Sequence, residues 1–355
     1  MGKIPFISAH IINRENTYLG REFLESCFLS LEESQFPNEV LIVDNGSSDF
    51  IFDTYNTWKE KFNSFDCELK VFPCELSSFS DLRNLCLEKT NPYTDFFLKI
   101  DSDEVYYPED LDILKNHIPY EAGDIQFFWV SFYHFMLSPF KIQVNPDNMK
   151  YGKTPKNDDA RSIKDTIFAY GPNVKWVKAQ KVHEHVENMV GNVVVPTKVE
   201  YLHAGYCRKQ WETALKWLRY AELEFGNINC YKKENITVED KTGKEVSNSF
   251  MGKEGYTAKT VDYFRNWRTP NMLCHDRRKC TMPYPGKLTN KDYLPQGWVN
   301  LIKDCKNESD WIEYINKLDP TDFWQWWEEE YIRCGNWSDT LEPALLKARK
   351  EGILN

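Results

Sequence analysis

Val40-Leu41-Ile42-Val43-Asp44-Asn45-Gly46-Ser47-Ser48-Asp49 is the stretch that decides how this chain folds. Its first four residues are apolar and mostly β-branched, with no polar face. That pattern predicts a strand buried on both sides, as a parallel sheet requires. Polarity then changes within one residue. Asp44 stands at the strand's end, Gly46 permits a tight turn, and the hydroxyls of Ser47 and Ser48 can cap a helix starting near Asp49.

The neighbouring segments repeat this logic. Residues 4–12 (IPFISAHII) read as another buried strand, followed by Asn13-Arg14-Glu15-Asn16. Leu19, Phe23, Cys27 and Leu31 then fall at helical spacing until Pro37. Leu69 to Phe72 predicts a third strand, Phe79 to Leu87 a helix, and Phe96 to Ile100 a fourth strand that stops at Asp101-Ser102-Asp103-Glu104. This β-α-β order with short connections predicts a parallel sheet with helices on its faces. More strands are expected at Asp124 to Ser131, around Ile167, and at Val174 to Val177 and Val193 to Tyr201. Residues 141–160 are polar and turn-rich and predict a mobile loop, a candidate lid. An amphipathic helix is expected from Arg208 to about Phe225, then an irregular polar stretch to about residue 295, then Trp-rich helical pieces.

Composition limits the function classes. With 44 Lys+Arg against 54 Asp+Glu, the net charge of -10 disfavours a large nucleic-acid footprint. A mean hydropathy of -0.60 describes an ordinary soluble protein, and no run is long enough to span a bilayer. No apolar signal-peptide core follows Met1, and the 10 Cys form no CxxC pair, so free thiols in a reducing cytoplasm are expected. Cys274, His275 and Cys280 lack a second matching pair for zinc. Twelve Trp suit sugar stacking, although an aromatic-rich core is the plainer account of them. For Trp324-Gln325-Trp326-Trp327 the same choice stands between sugar platform and core.

Ligands of open parallel sheets bind at the carboxyl ends of the strands. Here Asn13 to Asn16, Asp44 to Asp49 and Asp101 to Glu104 all fall there. Alternation along an extended chain would put Asp101 and Asp103 on one side as hard oxygen ligands for Mg²⁺ or Mn²⁺, able to neutralise a diphosphate. The alternative is a solvated acidic turn.

Together, Val43-Asp44-Asn45-Gly46-Ser47-Ser48-Asp49, Phe79 with Arg83-Asn84, and Asp101-Ser102-Asp103 resemble the family 2 glycosyltransferases over residues 1 to about 130. Arg161, Trp176, Val182-His183-Glu184 and His203-Ala204-Gly205-Tyr206 extend the resemblance to about residue 225, towards a branch that includes peptide and protein glycosyltransferases. The resemblance implies that Asp44 hydrogen-bonds the nucleotide base with Arg83 close by, and that His10 and Asn13 belong to the same nucleotide site. It implies that Asp101 faces the ribose or a metal-bound water, that Asp103 ligates the metal, and that His203 or His183 completes the metal site. Glu184 is then the candidate general base of an inverting reaction. Asp-Ser-Asp in place of Asp-Ala-Asp, and Asn13-Arg14-Glu15 in place of Lys-Asn-Glu, are departures that bear on donor choice.

The fold so implied is GT-A, an α/β fold with a Rossmann-like, mostly parallel sheet flanked by helices. It would span residues 1–205, with residues 206–355 a mostly helical region that has a possible acceptor-binding role. The expected function is metal-assisted transfer of a sugar from a UDP- or GDP-linked nucleotide-sugar to a glycan, protein or small-molecule acceptor. One rival is a nucleotidyltransferase, which should carry a Gly-rich loop where this chain has His10-Ile11-Ile12-Asn13-Arg14. Another is a catalytically silent sugar- or protein-binding module on the same fold.

Overall fold

A computed structural model describes residues 5–15, 17–76, 78–117, 125–136, 138–143, 161–180, 183–209, 294–302 and 305–318, with the short pieces 236–237, 257–258 and 281–283. The expected helix beyond residue 209, the Cys274–Cys280 segment, Trp324 to Trp327 and most of the 141–160 loop lie outside the described residues.

Each buried run forms the strand it predicts. Strand β1 is Ile7–Asn13, β2 Glu39–Asp44, β3 Glu68–Pro73 and β4 Phe96–Asp101. All four are parallel in the order β3-β2-β1-β4. Register matters most for function. Asn13 pairs with Asp44, Asp44 with Pro73, and Ile12 with Asp101, so three polar strand ends reach one rim of the sheet together.

Helices cover both faces. Helix α1 (Tyr18–Ser34) starts on Thr17, whose hydroxyl accepts from the Gly20 amide, and buries Leu19, Phe23, Cys27 and Leu31. It ends three residues before Pro37, and its C-cap Gln35 takes a left-handed conformation at φ 46°. Helix α2 spans Asp49–Asn63, and Ser48 holds its N-cap position without a side-chain capping bond. Helix α3 is Phe79–Lys89, with Ser78 accepting from the Asp81 amide. Phe28, Trp58 and Phe62 meet at 5.5–5.9 Å between ring centroids and close the core between α1 and α2.

Beyond β4 the sheet is mixed. Strand β5 is Glu104–Tyr106, helix α4 Pro108–His117, β6 Ile125–Met136, β7 Lys141–Gln143, β8 Arg161–Ala169, β9 Lys175–Gln180, β10 His183–Glu187 and β11 Val193–Tyr206. Strand β8 runs antiparallel to both β4 and β6, while β11 lies parallel to β6 and antiparallel to β5. The expected layered α/β, GT-A-like fold is therefore present, with its parallel half built by residues 7–101. Strands β9 and β10 form a separate two-stranded sheet.

One compact unit comprises residues 1–179, 183–207 and 282–319. Its last part returns to the sheet domain as helices α5 (Gln296–Leu301) and α6 (Glu308–Leu318). A Cβ on Gly297 would run into the Ser26 carbonyl of α1, so only glycine permits this approach. Trp298 and Trp311 are buried beside Leu19, Phe23 and Phe135, and Trp311 Nε1 donates to the Cys207 carbonyl at 3.2 Å. These two tryptophans are core, not sugar platforms. A second unit takes 180–182, 208–281 and 320–355, of which the strands β12 (Ile236–Thr237) and β13 (Thr257–Ala258) pair antiparallel. No helix among the described residues is long and apolar enough to cross a membrane.

His10, expected in the nucleotide site, is instead fully buried inside the sheet domain. Its ring stacks on Phe97 at 5.0 Å, and Nε2 lies 2.9 Å from the Thr90 hydroxyl. That hydroxyl donates to the Cys86 carbonyl, so the imidazole is the donor to Thr90 and carries its proton on Nε2. Burial, reinforced by the nearby Arg83 guanidinium, lowers its pKa from 6.5 to about 3. The unfolded chain therefore takes up a proton below 6.5 that the folded chain refuses until about 3. Stability must fall as pH falls through that window. At about 1.4 kcal/mol per pH unit, acidification to about pH 5 should remove about 2 kcal/mol through this residue. Urea unfolding of wild type and His10→Leu at about pH 7 and about pH 5 checks this. The pH-dependent loss should shrink by that amount in the variant, and an unchanged loss would assign it to other groups.

Candidate active site

The turn after β2 is knit from beneath. Asp44 Oδ1 accepts from the amides of Gly46 at 3.1 Å and Ser47 at 2.8 Å, while the Tyr55 hydroxyl donates to Oδ2 at 2.5 Å. Asn13 Nδ2 donates to that same hydroxyl at 2.7 Å, and the Glu15 amide to Ser47 Oγ at 2.9 Å. Gly46 sits at φ 90°, a conformation other residues rarely adopt. Asn45 exchanges two hydrogen bonds with the Leu76 backbone and ties in the loop after β3. Asp44 is thus fully buried with both oxygens bonded inside the protein. In this arrangement it shapes the floor of the rim instead of reaching a base.

Arg83, also expected beside the nucleotide, points inward from α3. Its Nη1 donates to the His10 carbonyl at 3.0 Å and the Ile100 carbonyl at 3.2 Å, joining β1 to β4. Its Nη2 binds Asp101 Oδ1, and Nε lies 3.5 Å from Glu184 Oε1. Two lysines extend the contacts. Lys164 of β8 lies 3.5 Å from Asp101 Oδ2 and 3.0 Å from Glu104 Oε1, and Lys99 of β4 lies 2.9 Å from Glu184 Oε1. Lys99 also sits 4.9 Å from the Trp176 ring. The result is one chain of ion pairs, Glu104–Lys164–Asp101–Arg83–Glu184–Lys99.

The electrostatics follow from that order. Burial pushes the Asp101 carboxyl up, but Lys164 and Arg83 outweigh it and hold Asp101 well below the usual carboxylate range. Glu184 is likewise pushed up by burial and brought below its ordinary value by Lys99 and Arg83. Burial lowers Lys164, yet Glu104 and Asp101 raise it overall. Lys99 is lowered by burial and by its neighbour Lys164. A general base works best with a pKa near the working pH, so this setting is a poor one for Glu184 as base.

Asp101 and Asp103 do not converge. Residues 102 and 103 form a turn, which breaks the alternation that an extended chain would have imposed. Asp101 faces Arg83 and Lys164, whereas Asp103 faces His203 of β11, with Nε2 3.4 Å from Oδ1. The Ala204 amide donates to the Asp103 carbonyl at 2.8 Å and fixes this approach. Gly205 makes room for it: a Cβ there would meet Asp103 Oδ2 at 2.5 Å and His203 Cε1 at 2.7 Å. On its other side, His203 Nδ1 lies 3.1 Å from Nδ1 of His134 on β6. His183 opens β10, and its side chain lies outside the described residues.

Among the described residues, no group of three or more His, Cys, Asp or Glu is arranged to hold a metal ion. Asp103 and His203 still fit one in part. They present a carboxylate oxygen and an imidazole nitrogen to each other in a cradle that a single methyl group would fill. Such a pair can hold a divalent ion whose remaining ligands come from a substrate. Lys99, Lys164 and His134 were missed as site residues by sequence reasoning. Each is a basic side chain interrupting an apolar strand (FFLKI, SIKDTIF, SFYHFM), which is the signal that could have found them.

No family model matches the chain, and no curated protein does. Among solved structures it is similar to S. aureus TarS 1-349, at 13% identity and a TM-score of 0.36, over 98% of this chain and 92% of that one. The same figures hold for that protein in complex with UDP-GlcNAc. It is also similar to 4-diphosphocytidyl-2C-methyl-D-erythritol synthase from Anaerococcus prevotii, at 17% identity and a TM-score of 0.29, over 47% of this chain and 72% of that one.

Two substitutions test that geometry. Arg83→Met strands Asp101 and Glu184 without their shared cation and should cost about 3–5 kcal/mol of stability in urea unfolding. A loss below about 1 kcal/mol would show that the chain of pairs does not depend on Arg83. Gly205→Ala overfills the Asp103–His203 cradle and should cost about 1–3 kcal/mol by the same measurement.

Proposed function

We propose that this chain is a glycosyltransferase that moves a sugar from a UDP- or GDP-linked donor to an acceptor, assisted by Mn²⁺ or Mg²⁺. The observation that carries the reading is the cradle of Asp103 and His203 at the same rim as Asn13, Asp44 and Asp101.

Charge balance supports a diphosphate at this rim. The carboxylates of Asp101, Glu104 and Glu184 are matched by Arg83, Lys99 and Lys164. An unpaired acidic floor would repel a nucleoside diphosphate; this one does not. A divalent ion held by Asp103 and His203 would supply Lewis-acid charge to the departing diphosphate. The protein's own residues do the rest. Arg83 and Lys164 orient Asp101, whose side chain remains 35% exposed and can accept from a donor hydroxyl. The turn at Asn45 and Gly46 borders the same rim, with Asp44 and Tyr55 holding it rigid. Glu184 in this reading anchors the β9–β10 hairpin to Arg83 and Lys99, and its service is to the shape of the pocket rather than to proton transfer.

Nucleoside diphosphate release from a panel of UDP- and GDP-sugars, with and without Mn²⁺, tests the proposal. Slow metal-dependent hydrolysis of one donor is expected in wild type, with Asp103→Asn reduced to the metal-free background. Binding without turnover would favour a silent binding module, and no binding of any donor would sink the proposal.

A further inference from the structure

His134 sits where no motif would have placed a functional residue, near the end of a mostly apolar strand. It lies directly opposite His203 in the β6–β11 pairing, while Glu104 of β5 flanks His203 on its other side. The two imidazoles meet at 4.5 Å between centroids and 69° between planes, with their Nδ1 atoms 3.1 Å apart. A hydrogen bond between two imidazole nitrogens holds one proton, so between neutral rings one carries Nδ1–H and the other must carry Nε2–H. The tautomers of the two residues are therefore locked to each other. Their rotation is locked as well. Phe132 packs edge-on against His134 at 4.7 Å, and Tyr206 lies 5.8 Å from His134 and 5.7 Å from His203.

We propose that His134 is a positioning residue: its Nδ1 accepts from Nδ1–H of a cation-loaded His203 and so turns the free Nε2 lone pair towards Asp103 and a shared divalent cation. This rests on the cation reading proposed above. A histidine that ligates through one nitrogen is commonly fixed by a hydrogen bond at the other, and losing that partner weakens metal affinity about 10–100-fold. His134 supplies such a partner from a neighbouring strand, where a flexible loop residue would allow the ring to swing. Asp103, Ala204 and Gly205 fix the other edge of the same ring.

The test compares wild type, His134→Phe and His134→Asn, the last keeping an acceptor near the position of Nδ1. Ring ¹⁵N spectra of histidine-labelled protein, with the His203 signals assigned through His203→Gln, report the tautomer with or without a metal. Wild type and His134→Asn should each show a single His203 tautomer, and His134→Phe a mixture of two. Titration with Mn²⁺ alone should then show affinity lowered about 10–100-fold in His134→Phe and largely restored in His134→Asn. A His203 spectrum in His134→Phe identical to wild type overturns the proposal. Absence of Mn²⁺ binding by wild type overturns the cation reading, and the spectra still decide separately whether His134 sets the ring.

Discussion

The guanidinium of Arg83 is the contact on which the rest of the rim depends. It is buried, yet from a single planar group it hydrogen-bonds the carbonyls of His10 and Ile100 and the carboxylate of Asp101, and lies 3.5 Å from that of Glu184. Arginine suits this task because its donors lie in a rigid fork, and a lysine could not bridge two strands and two carboxylates at once. A buried ion pair is weak grounds for stability in itself, since desolvation offsets most of the Coulomb gain. What it secures here is position. Asp101 and Glu184 come from elements distant in sequence, and Arg83 sets both relative to the ends of β1 and β4.

That constraint spreads outward through its neighbours. Glu184 brings Lys99, and Lys99 sits over Trp176, whose backbone is held in turn by Asn84 through two hydrogen bonds of 2.8 Å. Arg83 and Asn84 are adjacent on α3, so one turn of helix fixes both the charge chain and the β9–β10 hairpin. The motif Arg83-Asn84 therefore has a structural logic of its own. It is a two-pronged anchor, with one prong in the sheet and the other on the hairpin.

Much of the sheet was readable in the sequence because buried parallel strands announce themselves as unbroken apolar runs. β1, β2 and β4 are of this kind, and their polar ends marked the rim correctly. What could not be read was direction. Asp44, Arg83 and His10 were assigned to a ligand by the family resemblance, yet each turns inward to partners 11 to 80 residues away, at Tyr55, His10 and Thr90. Local pattern has no access to such pairings. Asp101 and Asp103 failed for a different reason: alternation holds only while the chain stays extended, and the strand ends at Asp101. The strands of the mixed half were expected too, near Ile125, Ile167, Lys175 and Val193, but not their pairing, since β6, β8 and β11 meet across long stretches of sequence that hydropathy does not encode.

The mixed half nevertheless supplies what the parallel half lacks. Strands β1, β2 and β4 deliver Asn13, Asp44 and Asp101 to the rim, but the first two are engaged internally and Asp101 is neutralised by cations. Where β11 lies between β5 and β6, a carboxylate faces an imidazole across a glycine-sized space. Parallel pairing there sets His203 level with His134, and antiparallel pairing sets it level with Glu104, so both registers must hold for the cradle to exist. A slip of one residue in β11 would turn His203 to the opposite face of the sheet and replace it with Leu202 or Ala204. The reactive geometry of this rim is thus a property of strand register in the mixed half, built upon a charge chain that the parallel half keeps in place.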